Sequence, residues 1–282
     1  MKKHSVFGAD GFIGSEFMWQ TPESHAQSRI DYKPHSQDIL YFISTVDNYN
    51  VKTRPFLDIE TNLSLLIYVL EQCRDKYGKQ FTFNFISSWF VYGVPEYLPV
   101  PEVHPCDPKG FYSITKRTAE QLLQSYCETY GIKYRILRLA NVIGIGDEKI
   151  SLKKNAVQCM IRELAQGRSV NLYATPSIRD IVNVKDIVRG ISLVLEKGEL
   201  NRVYNIGNGI PVDVNELILG VVNKCKAPGK INLVPVPEFH KQIQATKFWL
   251  DISDLQELGY EPLYSVDYTV RDLIDYYEKT KE

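Results

Sequence analysis

Tyr112 and Lys116, four positions apart in Gly110-Phe111-Tyr112-Ser113-Ile114-Thr115-Lys116, carry the first chemistry the sequence offers. They open a strongly patterned helical segment. Positions i and i+4 share a helix face, so a phenol and an ammonium can point into one pocket. A free tyrosine, with a pKa near ~10, is a poor base at neutral pH. A neighbouring cation favours the phenolate and lowers that value. So placed, Tyr112 can take a proton from a hydroxyl or give one to a ketone as a general acid/base. On its own the pair is ordinary helix surface, and its meaning depends on the rest of the chain.

A second stretch supplies context. Ser5-Val6-Phe7 reads as a short strand that runs into Gly8-Ala9-Asp10-Gly11-Phe12-Ile13-Gly14, a G-x-x-G-x-x-G spacing. Glycines there let the backbone approach a phosphate, let the next helix pack closely on the strand, and leave a helix N-terminus facing the negative charge. A glycine turn that serves geometry alone is the competing reading.

The elements that must position these groups alternate. A helix is expected from Phe12 to Gln20, then a buried strand at Asp38 to Ser44, apolar along most of its length. Helices follow at 57–76 and at 112–130, the latter ending at Gly131 as a C-cap. Between them lie a strand at Thr82 to Ser88 and a proline-rich loop from Pro95 to Pro108; a strand at Tyr134 to Leu139 comes next. Strands alternating with helices predict an α/β fold, a Rossmann-type doubly wound parallel sheet with a smaller C-terminal substrate-binding lobe. The dinucleotide-binding domain is expected over 1–146, rejoined by 178–207. The lobe would comprise 147–177 and 208–282. Only 23 residues separate Gly14 from Asp38, which leaves no room for the second strand, helix and third strand of a full mononucleotide-binding half. Asp31, 17 residues past Gly14, stands near the ~20 expected of a carboxylate that holds the adenosine ribose. An exposed loop aspartate is the alternative, and the flanking Arg29 and Lys33 suit a 2′-phosphate instead.

Composition excludes other classes. The 282 residues are 44% hydrophobic and 24% charged, as in ordinary globular chains, and the net charge of -1 gives no reason to expect nucleic acid or an anionic membrane. Five cysteines, odd in number, widely spaced and without C-x-x-C, argue against a disulfide framework or a zinc site and for a reducing, cytoplasmic setting. The five histidines show no ligand spacing, and no metal is expected. Lys2 and Lys3 do not open a signal peptide, because Asp10 and glycines interrupt the apolar stretch that follows. No run approaches the ~18 apolar residues of a membrane span.

Taken together, these motifs resemble the extended short-chain dehydrogenase/reductase family, in its nucleotide-sugar epimerase, dehydratase and reductase branch. The resemblance covers nearly the whole chain. It matches Gly8, Gly11 and Gly14, the Y-x-x-x-K of Tyr112 and Lys116, and Ser88 four residues before the tyrosine of Val91-Tyr92-Gly93. It also matches Arg138 to Gly144, Arg179 to Asp186, and the C-terminal Asp251-Ile252-Ser253, Leu258-Gly259-Tyr260 and Pro262. The resemblance implies catalysis by Ser88, Tyr112 and Lys116, with Lys116 binding the nicotinamide ribose and holding the Tyr112 pKa down. It implies coenzyme contacts at Gly8, Gly11, Phe12, Ile13 and Gly14, and at Asp31, Ser44 and Lys116. NAD is the expected cofactor, with NADP left open. Ser88, Asn141, Asn155, Tyr173 and Arg179 are the expected substrate contacts, Arg179 gripping a diphosphate and Tyr173 stacking on the base. Relatives pair through a four-helix interface, so a homodimer is expected, with Leu123 and Tyr126 as candidates to sit in it.

Two departures narrow the reading. Dehydratases of the family need an acidic pair just after the Ser/Thr, and here Trp89 and Phe90 stand there. That leaves epimerisation through a transient keto sugar, with reduction of a nucleotide-linked 4-keto sugar as the alternative. The shortened adenosine segment keeps a third reading open, a nucleotide-sugar or dinucleotide binding protein without turnover. If the dinucleotide binds, its nicotinamide end should be held in the family's way and its adenine exposed.

Overall fold

The computed structural model describes residues 3–46, 48–148, 150–243 and 245–280. Met1, Lys2, Lys281 and Glu282, at the outer bounds of the expected domains, lie outside them. The strands are β1 His4–Phe7, β2 His25–Ala26, β3 Asp38–Tyr41, β4 Thr82–Ser88, β5 Lys133–Leu139, β6 Asn141–Ile143, β7 Val170–Tyr173, β8 Ile178–Asn183, β9 Arg202–Ile206, β10 Pro211–Asp213 and β11 Ile231–Val234. The helices are α1 Phe12–Gln20, α2 Pro55–Ile59, α3 Leu65–Tyr77, α4 Phe111–Tyr130, α5 Ala156–Ala165, α6 Val184–Lys197, α7 Val214–Val222, α8 Glu238–Ile243, α9 Ser253–Glu257 and α10 Val266–Lys279. A π-helical turn, Glu60–Ser64, joins α2 to α3.

Six strands form one parallel sheet in the order β2-β1-β3-β4-β5-β9, so β1 and β5 share a sheet. Alternation along each strand sends side chains to two faces. Val6, Leu40, Ile86, Leu137 and Leu139 pack with Phe17 of α1 and Ile187, Ile191 and Val194 of α6. Phe7, Ile39, Tyr41, Phe83, Phe85 and Ile136 pack with Leu66, Val69 and Leu70 of α3 and with Ala119, Leu123 and Cys127 of α4. Helices on both faces make the sheet doubly wound. A third core, with Ile143, Ile161, Leu164, Leu172, Ile218, Val221, Leu273 and Ile274, sits in the smaller lobe around α5, α7 and α10.

Three expectations change. A second strand does fit between Gly14 and Asp38: β2 pairs in parallel with Ser5 and Val6 on the outer edge of β1. It is two residues long, and no helix or further strand follows before β3. The tight return across the foot of β1 is pinned by Ser5, whose hydroxyl accepts the backbone N–H of His35 at 2.8 Å and of Ser36 at 2.7 Å. Second, segment 178–207 divides. β9 enters the large sheet, whereas β8 lies between β10 and β6 in a separate three-stranded sheet. Third, Leu123 is fully buried in the chain's own core, and Tyr126 is engaged with Glu71 and Arg74 of α3. Leu123 is therefore not available to an interface, whereas Tyr126 keeps part of its ring exposed. The exposed apolar side chains on these helices are Phe56 and Ile59 on α2, Tyr68 on α3, and Ile114, Leu122 and Tyr130 on α4.

Candidate active site

The glycine turn sits at the C-terminal end of β1. Gly8 has φ +86, the left-handed region, and a Cβ on Gly14 would lie 2.2 Å from the Gly8 carbonyl oxygen. Only glycine lets the start of α1 press on the turn this closely. Gly11 is the N-cap and makes no side-chain cap bond, so the first N–H groups of α1, from Phe12 onward, have no side-chain acceptor there. A turn of this shape can cradle a pyrophosphate.

On the adenosine side the fit is poorer. The residue after β2 is Gln27, buried and turned inward, its amide donating to the His25 carbonyl at 2.7 Å and its Oδ-equivalent carbonyl oxygen, Oε1, meeting His35 Nδ1 at 2.9 Å. Asp31 falls in an exposed turn beyond it, and Arg29, also exposed, pairs with Asp10 of the glycine turn at 3.4 Å.

Ser88 ends β4, and Tyr112 lies in the first turn of α4. The phenol is buried, with the hydroxyls of Ser88 and Ser44 near it. Its pKa is pushed up to about 12: burial is the largest cause, and the two serines offset it only in part. This corrects the expected direction, since no effect of Lys116 is among the causes. The Lys116 ammonium lies instead against the Phe85 ring, 4.2 Å from its centroid. Burial pulls the Lys116 pKa down to about 7, against the opposing pull of Glu120. Burial therefore favours the protonated phenol, and it weakens the hold of Lys116 on its charge.

Two buried polar residues that the sequence reading missed lie beside this group. Asn62, in the π-helical turn and 2% exposed, accepts from the Ser44 hydroxyl (3.0 Å) and the Thr45 N–H (2.9 Å) and donates to the hydroxyls of Thr45 (2.8 Å) and Thr115 (3.0 Å). Such turns recur at functional sites. A polar residue inside an apolar helical run is the signal that could have found it. Glu120 continues the Tyr112–Lys116 face by one more turn and is fully buried. It accepts from Arg138 Nε (3.0 Å) and Nη2 (2.8 Å) and from Arg117 Nη1 (2.8 Å). Burial alone would raise its pKa, but Arg138 foremost brings it below the ordinary carboxylate range.

The other predicted contacts gather on the β6–β8 side. Asn141 opens β6, and its amide donates to the Asp180 carbonyl at 3.1 Å. Asn155 caps α5, accepting from Gln158 N and donating to the Val142 carbonyl at 3.0 Å, so its side chain already has a structural task. Arg179 is buried on β8, bonded to the carbonyls of Ile178 (2.8 Å) and Thr246 (3.2 Å). It has no carboxylate partner among the described residues, and burial lowers its pKa to about 10. Tyr173 ends β7, half-buried, its ring edge-on to His240 at 5.3 Å, and His240 in turn bonds the Tyr49 hydroxyl. No group of three metal-ligating side chains occurs among the described residues, and no described helix is long and apolar enough to cross a membrane.

Residues 33–207 match the model of a family described as the NAD dependent epimerase/dehydratase family. A Methanocaldococcus jannaschii protein assigned as a UDP-glucose 4-epimerase is 29% identical over 239 residues, which cover 83% of this chain and 75% of that protein. UDP-glucuronate 4-epimerase 4 of Arabidopsis thaliana is 24% identical over 78% of this chain; the matched region is 53% of the plant protein, about half its length. Among solved structures, the Thermotoga maritima UDP-glucose 4-epimerase with UDP-glucose superposes with a TM-score of 0.87 at 26% identity, covering 100% of both chains.

Proposed function

The chain belongs to the NAD dependent epimerase/dehydratase family, in its nucleotide-sugar branch of extended short-chain dehydrogenases, and from that premise we propose that it is a nucleotide-sugar epimerase working through a transient keto sugar. The observation that carries this reading is the buried Tyr112 phenol with the hydroxyls of Ser88 and Ser44 near it, beside which Trp89 and Phe90 stand where a dehydratase would need two acids. Ser88 and Tyr112 would share one sugar oxygen. To take the proton of a hydroxyl as it becomes a ketone, Tyr112 must first be ionised, which a cationic coenzyme ring and a charged Lys116 beside the phenol would favour; the proton would return when the ketone is reduced. The dinucleotide supplies hydride acceptance and return. The glycine turn would hold its pyrophosphate and Lys116 its nicotinamide ribose. Arg179, without a carboxylate partner, suits the substrate diphosphate by charge-assisted bonds.

The shortened segment supports an exposed adenine and modest coenzyme affinity. With Gln27 just after β2 and Arg29 beside the glycine turn, the NAD-versus-NADP choice rests on titration of both. We also keep the division into a dinucleotide-binding part on the six-stranded sheet and a substrate lobe, with β8 on the lobe side. A cytoplasmic homodimer is part of the same proposal, its contact through the exposed apolar residues of α2, α3 and α4; a monomeric mass by light scattering would remove that part.

Tyr112→Phe tests the chemistry. Turnover of a nucleotide sugar should fall roughly 10²–10⁴-fold, while calorimetric affinity for that sugar stays near wild type. Undiminished turnover would overturn the mechanism. Mass spectrometry of what the denatured protein releases separates the classes: retained NAD supports an epimerase, since the hydride returns to the same substrate. Consumption of NADPH with a 4-keto sugar would favour a reductase instead.

A further inference from the structure

Resting on the nucleotide-sugar reading above, we propose that α8 is a lid, held shut by a contact between Tyr49 and His240, and that it opens to admit the nucleotide. Four separate stretches of chain meet at this contact. Tyr49 stands in the loop after β3, at the mouth of the six-stranded sheet, and its hydroxyl shares a hydrogen bond with His240 Nε2. Its ring also packs on Phe239 of α8 at 5.2 Å. The Lys52 ammonium lies 4.4 Å from the centre of the Phe239 ring. That of Lys153, in the loop before α5, lies 5.4 Å from the centre of the Tyr49 ring. From the smaller lobe, Tyr173 meets the His240 ring edge-on at 5.3 Å.

His240 thus stands beside both expected nucleotide contacts, Tyr173 for the base and Arg179 for the diphosphate. Arg179 is 8% exposed. Trp89 lies on one side of its guanidinium at 5.4 Å, and Nη1 is held by the carbonyls of Ile178 and Thr246. Its charge reaches His240: burial first, then Lys52 and Arg179, lower the imidazole pKa below its usual 6.5, so the ring is neutral at pH 7. A diphosphate bound by charge-assisted bonds needs N–H groups of the guanidinium turned towards it. A guanidinium covered to this degree cannot offer them until a neighbour moves. The segment able to move is α8. It is six residues long, Ile243 is its only buried side chain, and segments with few buried apolar contacts open at small cost. Tyr49 and Lys52 tie it to the sheet side.

Phenylglyoxal labelling of the full chain, read residue by residue by peptide mass spectrometry, tests the lid without a nucleotide. A covered side chain is labelled through the open form, so the rate follows the open population. Arg179 should be labelled far more slowly than the exposed Arg29. In Tyr49→Phe, which removes only the hydroxyl, Arg179 labelling should rise roughly two- to ten-fold, the worth of one hydrogen bond. His240→Leu should do the same. Arg135, buried against the Gly198 carbonyl, should stay slow in all three proteins. UDP association, followed by stopped-flow tryptophan fluorescence with Trp89 beside Arg179, should quicken by a similar factor in both variants. Arg179 labelled as fast as Arg29 in the wild type, an unchanged rate in both variants, or a parallel rise at Arg135 would overturn the lid. Faster labelling with unchanged UDP association would overturn its role in admission. Faster labelling in a protein that binds neither UDP nor dTDP would keep the lid and overturn the nucleotide-sugar reading.

Discussion

Replacing Glu120 by glutamine removes one negative charge from a pocket that holds two arginines and a lysine. Glu120 is fully buried and Arg138 is 3% exposed, so solvent does little to screen the pair. Both carboxylate oxygens are in use, Oε1 on Arg138 and Oε2 on Arg138 and Arg117. Glutamine fills the same volume but turns one acceptor into an N–H₂ donor that faces a guanidinium. Breaking a buried ion pair on one side costs about 3–5 kcal/mol. In a chain of this size that corresponds to a fall in Tm of about 6–10 °C. A thermal melt followed by tryptophan fluorescence reads it. The same change removes the one neighbouring charge that raises Lys116, so the alkaline limb of the pH–rate profile should move to lower pH. The double variant Glu120→Gln with Arg138→Met should recover part of the lost stability, because the stranded charge is gone as well. A Tm shift under about 2 °C, or a double variant no more stable than Glu120→Gln alone, would refute the account of this pocket.

Three further outcomes follow from the same geometry. Gly14→Ala should abolish dinucleotide binding by calorimetry, because its Cβ meets the Gly8 carbonyl at 2.2 Å, while Gly11→Ala, whose Cβ finds its nearest neighbour at 3.3 Å, should retain measurable binding. The Lys116 pKa of about 7 lies below that of an unfolded lysine, so the unfolded chain binds more protons between pH 7 and 10 and stability should rise with pH across that window; Lys116→Met should flatten this rise in denaturant titrations. Ser5→Ala strips the acceptor from two backbone N–H groups and should cost about 1–3 kcal/mol, with faster amide exchange at His35 and Ser36.

Local spacing made much of the site legible. The glycine turn, the Tyr112–Lys116 face and the end of β4 at Ser88 depend on residues close in sequence, and the structure places each at the mouth of the sheet. What escaped depends on burial and on distant partners. The raised Tyr112 pKa comes from desolvation, which spacing does not reveal, and Lys116 spends its charge against Phe85 on a neighbouring strand. β2 is too short for any apolar alternation, and both of its residues are exposed. Leu123 carries the same hydrophobic signal whether it meets its own sheet or a second copy. Asn62 reaches the site through a π-helical turn that an ordinary helical periodicity does not anticipate, and Arg138 finds Glu120 only once α4 lies over β5.

The two-residue β2 bears on how the molecule behaves in a crowded solution. It is the outermost strand of the large sheet on that side, and the open rim of a parallel sheet is a template on which a foreign strand can add. Full-length edge strands need charges, prolines or a covering helix to discourage such growth. Here the rim narrows to a stub, and the chain turns away at once to pass beneath β1. An incoming strand would find too few free backbone groups to settle into register. The contraction that thins the adenosine side therefore also caps the sheet against aggregation, so that lengthening β2 to restore a deeper coenzyme slot would have to bring its own edge protection.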